Sequence, residues 1–294
     1  MIDKTTKIAI IGGYGKLGIW LARFLLDEGL DVTIAGRDEN KLREAGQRLG
    51  AKVATIIEAA GRSDAIIVSV PINSFVEVIS QIAPYTRSDQ IICDVTSVKE
   101  MPVRVMHQSI KKGIVLGTHP MFGPGAASIK GQKFVLTPTN NNEQALAEKL
   151  KQYLVTKGAG VIIMSPEEHD RNMSIVLALS HFIALVSADT LLSLDKFKDL
   201  AQASGITYRI LLTMAESVVA EDPDFYASLQ MNLPDAAMIE KQFVSKANEW
   251  AEFVTDKDAV RFTKRMRELK DKFIKEDPGF SEAYKTMYKI LEQQ

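Results

Sequence analysis

The sequence predicts an α/β chain in two parts: a doubly wound, mostly parallel sheet over residues 1–165 and an all-helical second half over residues 166–294. Three observations predict it. Short Ile/Val-rich runs, nearly continuous in apolar character, alternate with amphipathic segments through the first half, as strands buried on both faces and their crossover helices should. A glycine-rich turn joins the first run to the first amphipathic segment. At Ser165 the texture changes. Ser165-Pro166-Glu167-Glu168 supplies an N-cap serine, a proline at the first helical position and a glutamate at the third, and no convincing strand follows.

The strands are expected at residues 7–12, 31–35, 52–55 (the weakest), 65–70, 90–94, 114–118, 134–137 and 160–164. Helical patterns fall between several of them, as at 17–28 and 39–49. Beyond Ser165 the helices should break near Gly205, Asp222-Pro223 and Leu233-Pro234. The helices at 175–194 and 210–219 carry more apolar surface than one small bundle needs, so a homodimer interface is expected there.

Composition bounds the function. The 294 residues suit two domains at roughly 150 residues each. Hydrophobic residues at 46% and charged residues at 25% exclude a disordered chain. Lys plus Arg number 36 against 37 Asp plus Glu, and a net charge of −1 argues against nucleic acid or an anionic membrane as the main partner. A single cysteine makes neither an internal disulfide nor a thiolate metal site, which points to a reducing compartment and no metal. The apolar run after Lys7 is too short for a secretory leader. The most apolar stretch, 172–194, is interrupted by Ser174, Ser180, His181, Ser187 and Asp189 and reads as a buried helix rather than a span. The expectation is a soluble, cytoplasmic protein.

The first strand ends in Gly12-Gly13-Tyr14-Gly15-Lys16-Leu17-Gly18. Gly13, Gly15 and Gly18 fit the G-x-G-x-x-G pattern of a Rossmann-type dinucleotide site, with Tyr14, Lys16 and Leu17 completing the loop. In this reading Gly13 allows the tight turn, Gly15 lets the backbone approach a pyrophosphate and Gly18 lets the helix pack on the strand. The helix N-terminus then offers free N–H groups to the phosphates. The second strand ends in Ala35-Gly36-Arg37-Asp38. Arg37 is a natural partner for a 2′-phosphate, so NADP is favoured over NAD, and Asp38 either caps the next helix or holds the ribose of NAD. Ser69, Val70 and Pro71, at the fourth strand's end in this sheet, should line the cofactor crevice.

Two further strand ends carry polar groups to the same edge: Asp94-Val95-Thr96-Ser97-Val98-Lys99, and Thr118-His119-Pro120-Met121-Phe122-Gly123-Pro124. His119 follows a buried strand and precedes a rigid loop, and its ordinary pKa suits a general base near neutral pH. Ser97 can orient that imidazole or a substrate hydroxyl, or cap the next helix. Lys99 reads as a solvated helix charge, Cys93 as core, His107 as surface, and His169 as structural and partly exposed. A reductase serving another hydride carrier or a non-catalytic NADP sensor would share the glycine loop, but neither uses His119 with Ser97.

The glycine loop and these two segments together resemble the prephenate dehydrogenase family. Glu168-His169-Asp170, Ser180-His181-Phe182, Tyr208-Arg209 and Asp222-Pro223 follow in the family's order, so the resemblance covers nearly the whole chain. It implies oxidative decarboxylation of prephenate to 4-hydroxyphenylpyruvate, or of the related arogenate, with a nicotinamide cofactor in tyrosine biosynthesis, by a chain that dimerises through its helices. It also implies that His119 takes the proton of the ring hydroxyl, that Ser97 supports it, and that His181 is a second substrate-pocket histidine. One departure stands out: where the family has a carboxylate-binding arginine, five residues before Asp222, this chain has Ser217. Arg209 is the nearest replacement, with Lys130, Lys241 or the other subunit as alternatives. Gly125 brings no acid to meet an ammonium group, which favours prephenate over arogenate.

Overall fold

The computed structural model describes residues 5–194, 197–200 and 203–292. The chain forms two compact units, Met1–Met173 with Met231–Leu233, and Ser174–Gln230 with Pro234–Gln294.

The first unit alternates strand and helix: β1 (Lys7–Ile11), α1 (Lys16–Asp27), β2 (Asp31–Ala35), α2 (Glu39–Leu49), β3 (Lys52–Ala54), α3 (Ile56–Arg62), β4 (Ala65–Val68), α4 (Ile72–Ile82), β5 (Ile91–Asp94), α5 (Glu100–Ser109), β6 (Ile114–Pro120), β7 (Lys133–Thr137), α6 (Asn141–Thr156), β8 (Gly160–Ile163) and α7 (Pro166–Met173). All eight strands join one sheet in the order β3-β2-β1-β4-β5-β6-β7-β8. Neighbours from β3 to β6 are parallel, β7 is antiparallel to β6, and β8 is parallel to β7. The order reverses between β1 and β4, which opens a crevice at the carboxyl ends of those strands.

The period of two along β1 explains the layers. Ile8 and Ile10 pack on one face with Leu21 and Leu25 of α1 and Leu42 of α2. Ala9 and Ile11 pack on the other with Phe75 and Ile79 of α4 and Met106 of α5. Each of these side chains larger than Ala9 contributes about 1.5–3 kcal/mol on burial. Strand β6 runs on through His119 and Pro120, which pair with Val135 and Phe134 of β7. His119 is therefore a strand residue, not the first residue of a loop as expected. The first unit continues past Ser165 to Met173 because Asp170 of α7 accepts the main-chain N–H groups of Lys99 and Glu100 at the start of α5.

The second unit is helical. A wide π-type turn (Ser174–Leu179) leads into α8 (Ser180–Leu192), followed by α9 (Phe197–Leu200), α10 (Ile206–Val219), α11 (Pro223–Asn232), α12 (Ala236–Thr255), α13 (Ala259–Glu276) and α14 (Ala283–Glu292). The breaks fall at Gly205, which caps α10, and at Pro223, which opens α11. Residues 172–194 are not a buried helix within the single chain. Pro166–Leu192 is long and apolar enough to cross a membrane, and only 17% of its most apolar window is buried. Ile175, Val186 and Leu192 are 55%, 43% and 66% exposed. The cause is a helix with no polar face, which its neighbours in the chain, chiefly α10, leave largely uncovered.

Candidate active site

The glycine turn is built by close approach. Gly12 has a φ of +86°, and a Cβ there would lie 2.0 Å from the Ser69 carbonyl oxygen. The left-handed residue of the turn is thus Gly12, not Gly13 as expected. Gly13 must be small for another reason, because its Cβ would meet Ile34 at 2.6 Å. At Gly18 a Cβ would lie 2.4 Å from the Gly12 carbonyl oxygen, so only glycine lets α1 sit this close to the turn. Ser69 is held over the turn by donating its N–H to Ile11 at 2.8 Å.

Helix starts differ across this edge. Asp38 caps α2 and Thr55 caps α3. In contrast, α1 starts at Gly15 with no side-chain cap and no acid in its first turn, and α4 starts after Pro71 with no side-chain cap. Both uncapped starts flank the strand-order reversal. Such ends keep N–H donors and a partial positive charge suited to a pyrophosphate. The ring of Tyr14 lies on Gly36, where a Cβ would be 2.3 Å from it. Asp38 accepts the amides of Asn40 and Lys41, both at 3.1 Å, and the Lys41 bond holds its carboxyl below the usual carboxylate range. Arg37 is exposed and bonds Ser74 at 3.1 Å.

A buried polar network joins the ends of β5 and β6 to α7. Lys99 is fully buried, not solvated as expected. Its ammonium pairs with Asp94 and donates to the Thr118 carbonyl at 2.7 Å. A charge this deep survives only with such partners. Burial pulls the Lys99 pKa down, and Asp94 opposes it. Asp94 also accepts the Thr96 amide at 2.9 Å and the Thr96 hydroxyl at 2.6 Å, while its second oxygen is buried without a partner.

His119 is 5% exposed, and its Nδ1 lies 2.8 Å from Nε2 of His169. His169 is wholly buried, not partly exposed as expected, because α7 lies against the start of α5. Its Nδ1 lies 2.7 Å from an Asp170 oxygen. Burial pushes the His119 pKa well below the ordinary value, with help from His169 and Lys99, and burial also lowers that of His169. Among the described residues Nε2 of His119 has no partner. Ser97 sits half-buried between β5 and α5 and makes no hydrogen bond to His119. The Cys93 thiol is pushed up to about 12 by burial, as suits a core residue. His107 is exposed and lies 2.9 Å from the Thr139 hydroxyl.

In the second unit His181 is half-buried on α8, edge-on to Tyr226 with centroids 4.8 Å apart. Burial lowers its pKa, and its Nδ1 is without a hydrogen-bond partner. Tyr208 Oη and Gln230 Oε1 are also buried and unpartnered. Arg209 is exposed, and no described residue pairs with its side chain. Ser217 spends its hydroxyl on the Met214 carbonyl of its own helix.

His119 and the glycine loop were legible in the sequence, whereas His169, Asp170 and Lys99 were not legible as partners of the site. The signal present was the adjacent His169-Asp170 pair just inside a capped helix.

Sheet order, glycine turn and the imidazole at the carboxyl edge define a Rossmann-type dinucleotide-binding protein with a helical second unit. The prephenate dehydrogenase nucleotide-binding domain matches residues 21–163, and the prephenate dehydrogenase dimerization domain matches residues 165–268. The chain belongs to the prephenate dehydrogenase family, whose members are NAD(P)-dependent oxidoreductases. It is 36% identical over 93% of its length to a probable arogenate/prephenate dehydrogenase of Methanocaldococcus jannaschii, and 31% identical over 91% to the T-protein of Haemophilus influenzae. It spans 62% and 67% of the lengths of those two relatives. A crystal structure of prephenate dehydrogenase from A. aeolicus, in complex with hydroxyphenyl propionate and NAD+, shares the fold at a TM-score of 0.75 and 21% identity, over 93% of this chain and 99% of that one.

Proposed function

We propose that this chain is a prephenate dehydrogenase that prefers NADP to NAD, acting as a homodimer, with the nucleotide-binding part at residues 1–165 and the helical part at 166–294. The observation that carries the reading is His119: a buried, neutral imidazole at the carboxyl end of β6 with Nε2 unpartnered.

Gly13, Tyr14, Gly15, Lys16, Leu17 and Gly18, with Arg37, Ser69, Val70 and Pro71, form the proposed cofactor contacts. The turn into which no Cβ fits and the uncapped start of α1 suit a dinucleotide pyrophosphate. The nicotinamide supplies a hydride acceptor when bound. His119 accepts the proton of the substrate's ring hydroxyl, so the O–H bond breaks as Nε2–H forms. The ring carbon's C–H pair leaves as hydride, and the pair of the C–carboxylate bond enters the ring as carbon dioxide departs. His119 returns its proton to the phenolate, so no net proton is released. Aromatisation makes the step effectively irreversible.

Ser97 is assigned to the substrate hydroxyl, since it does not bond the imidazole. His181 is assigned to the substrate pocket and Arg209 to a substrate carboxylate, in place of the arginine absent at Ser217. Gly125 adds no acid, which supports prephenate over arogenate. The NADP preference is supported by Asp38, whose carboxylate is committed to capping α2, by exposed Arg37, and by a groove of about 370 Å³ whose lining includes Tyr14 and two cations, Lys41 and Arg48, against one acid, Glu44. The homodimer is supported by the apolar residues that α8 exposes and by the match to a dimerization domain. The test supplies prephenate or arogenate with NADP+ or NAD+ and follows the absorbance of reduced nicotinamide. Turnover should be fastest with prephenate and NADP+. No turnover with either acid overturns the reading.

A further inference from the structure

We propose that Asp170 and His169 act as positioning residues that lock His119 in its Nδ1–H form, so that Nε2 is always presented as the bare lone pair. The inference rests on the reading of His119 as the base and adds how that base is set.

Donors and acceptors along the chain of bonds fix the tautomer. The Asp170 carboxylate receives the main-chain N–H of Lys99 at 2.7 Å and that of Glu100 at 2.9 Å. Neither group can accept, so Asp170 is fixed as an acceptor, with its plane set by two separate main-chain donors. His169 Nδ1, 2.7 Å from the same oxygen that receives Lys99, must then carry the hydrogen. In a neutral imidazole the other nitrogen is bare, so His169 Nε2 accepts. His119 Nδ1, 2.8 Å away, is the donor into it, and its Nε2 holds the lone pair. His169 and Asp170 are 0% and 2% exposed, so no water competes for these bonds.

The arrangement also fixes the ring. The two imidazoles stand 67° apart with centroids at 5.1 Å, which allows an in-plane bond from one to the other while blocking rotation of His119. When His119 takes up a proton, the cation that forms donates through Nδ1 into a chain ending on a carboxylate. The same logic of an acid holding a histidine in one tautomer operates in serine proteases. Here a second imidazole stands between the two. A merely structural clamp between α5 and α7 would use the Asp170–main-chain bonds alone. It would not need the His169–His119 bond.

The test reads the tautomer directly. The chain has four histidines, so a long-range 1H–15N spectrum of the whole protein shows four imidazoles, and His119→Asn assigns the one that matters. In the wild-type protein without substrate, His119 should show the Nδ1–H pattern. His169→Phe fills the volume but accepts nothing. It should abolish that single pattern and lower kcat by about 10-fold or more while KM changes little, within the range lost when a catalytic imidazole loses the partner that holds its tautomer. His169→Gln keeps an acceptor and a donor and should restore most of the loss. An Nε2–H pattern for wild-type His119 overturns the proposal, as does a folded His169→Phe protein with unaltered pattern and kcat. If His169→Phe does not fold, the wild-type spectrum and His169→Gln decide alone. Because the spectrum needs no substrate, a protein inactive on prephenate and arogenate removes the proposed function without touching this readout.

Discussion

The two units handle apolar surface in opposite ways. In the first, Ile10, Ile11, Ile34, Ile66 and Phe75 are wholly buried by the chain's own sheet and helices. In the second, α8 buries only Ala184, α12 only Ala236 and α13 no residue. A doubly wound sheet has two faces and covers both with its own crossovers. A helix such as α8, with no polar face, needs more neighbours than the chain places on it. The difference teaches where titration can be controlled. Asp94, Lys99, His119, His169 and Asp170 all lie where the first unit alone excludes water. The second unit, in the reading proposed, is completed by a second copy.

Replacing His119 tests the first unit's side of the contrast most strongly. His119→Asn should lower turnover by about 10²–10⁴-fold, the worth of a general base, while cofactor binding measured by fluorescence stays intact. Unchanged turnover removes His119 from that role.

Val186→Asp tests the second unit. Burying an unpaired charge at the proposed interface should weaken self-association by about 100-fold or more. Light scattering should then show a monomer at micromolar concentration where the parent is a dimer, with cofactor affinity unaltered. A variant that stays dimeric moves the interface off α8.

Two arginine replacements sharpen the contrast at intermediate size. Arg37→Ala should raise the KM for NADP+ by about 10–100-fold, the loss of one charge-assisted contact, and leave NAD+ nearly unaffected. Arg209→Ala should raise the KM for prephenate by about tenfold at near-constant kcat. If only Lys130→Ala or Lys241→Ala does so, the carboxylate site lies elsewhere.

The smallest effect is on stability. Burial lowers the pKa of both His119 and His169 in the folded state, so below about pH 6.5 the unfolded chain binds protons that the folded chain refuses. Each histidine then erodes stability as the pH falls further. The Tm should be flat above neutrality and fall as the pH drops from 6.5. A Tm that rises in that window would refute the burial argument.

Much of this was written along the chain. Each of the eight strands lies within two residues of its expected place, because strands buried on both faces announce themselves as short apolar runs. The glycine loop was readable because its spacing is itself the signal: Gly18 meets Gly12 and Gly13 meets Ile34, both nearby in the chain, and only the close approach of Ser69 to Gly12 comes from a distant segment. The misreadings share another cause. Lys99 looks like a helix-start charge until β5 and β6 bring Asp94 and the Thr118 carbonyl to it. His169 looks exposed until α7 lands on α5.

Alternating polarity and turn chemistry are properties of neighbouring residues, so the sequence alone determined the α/β class, the glycine turn, the helical second half and the candidacy of His119. Hydrogen-bond partnership across 50 residues is not a local property. Only the tertiary structure decided that His119 sits within a strand, that its partner is His169 rather than Ser97, and that Lys99 is buried, because each depends on which segments the sheet order brings together.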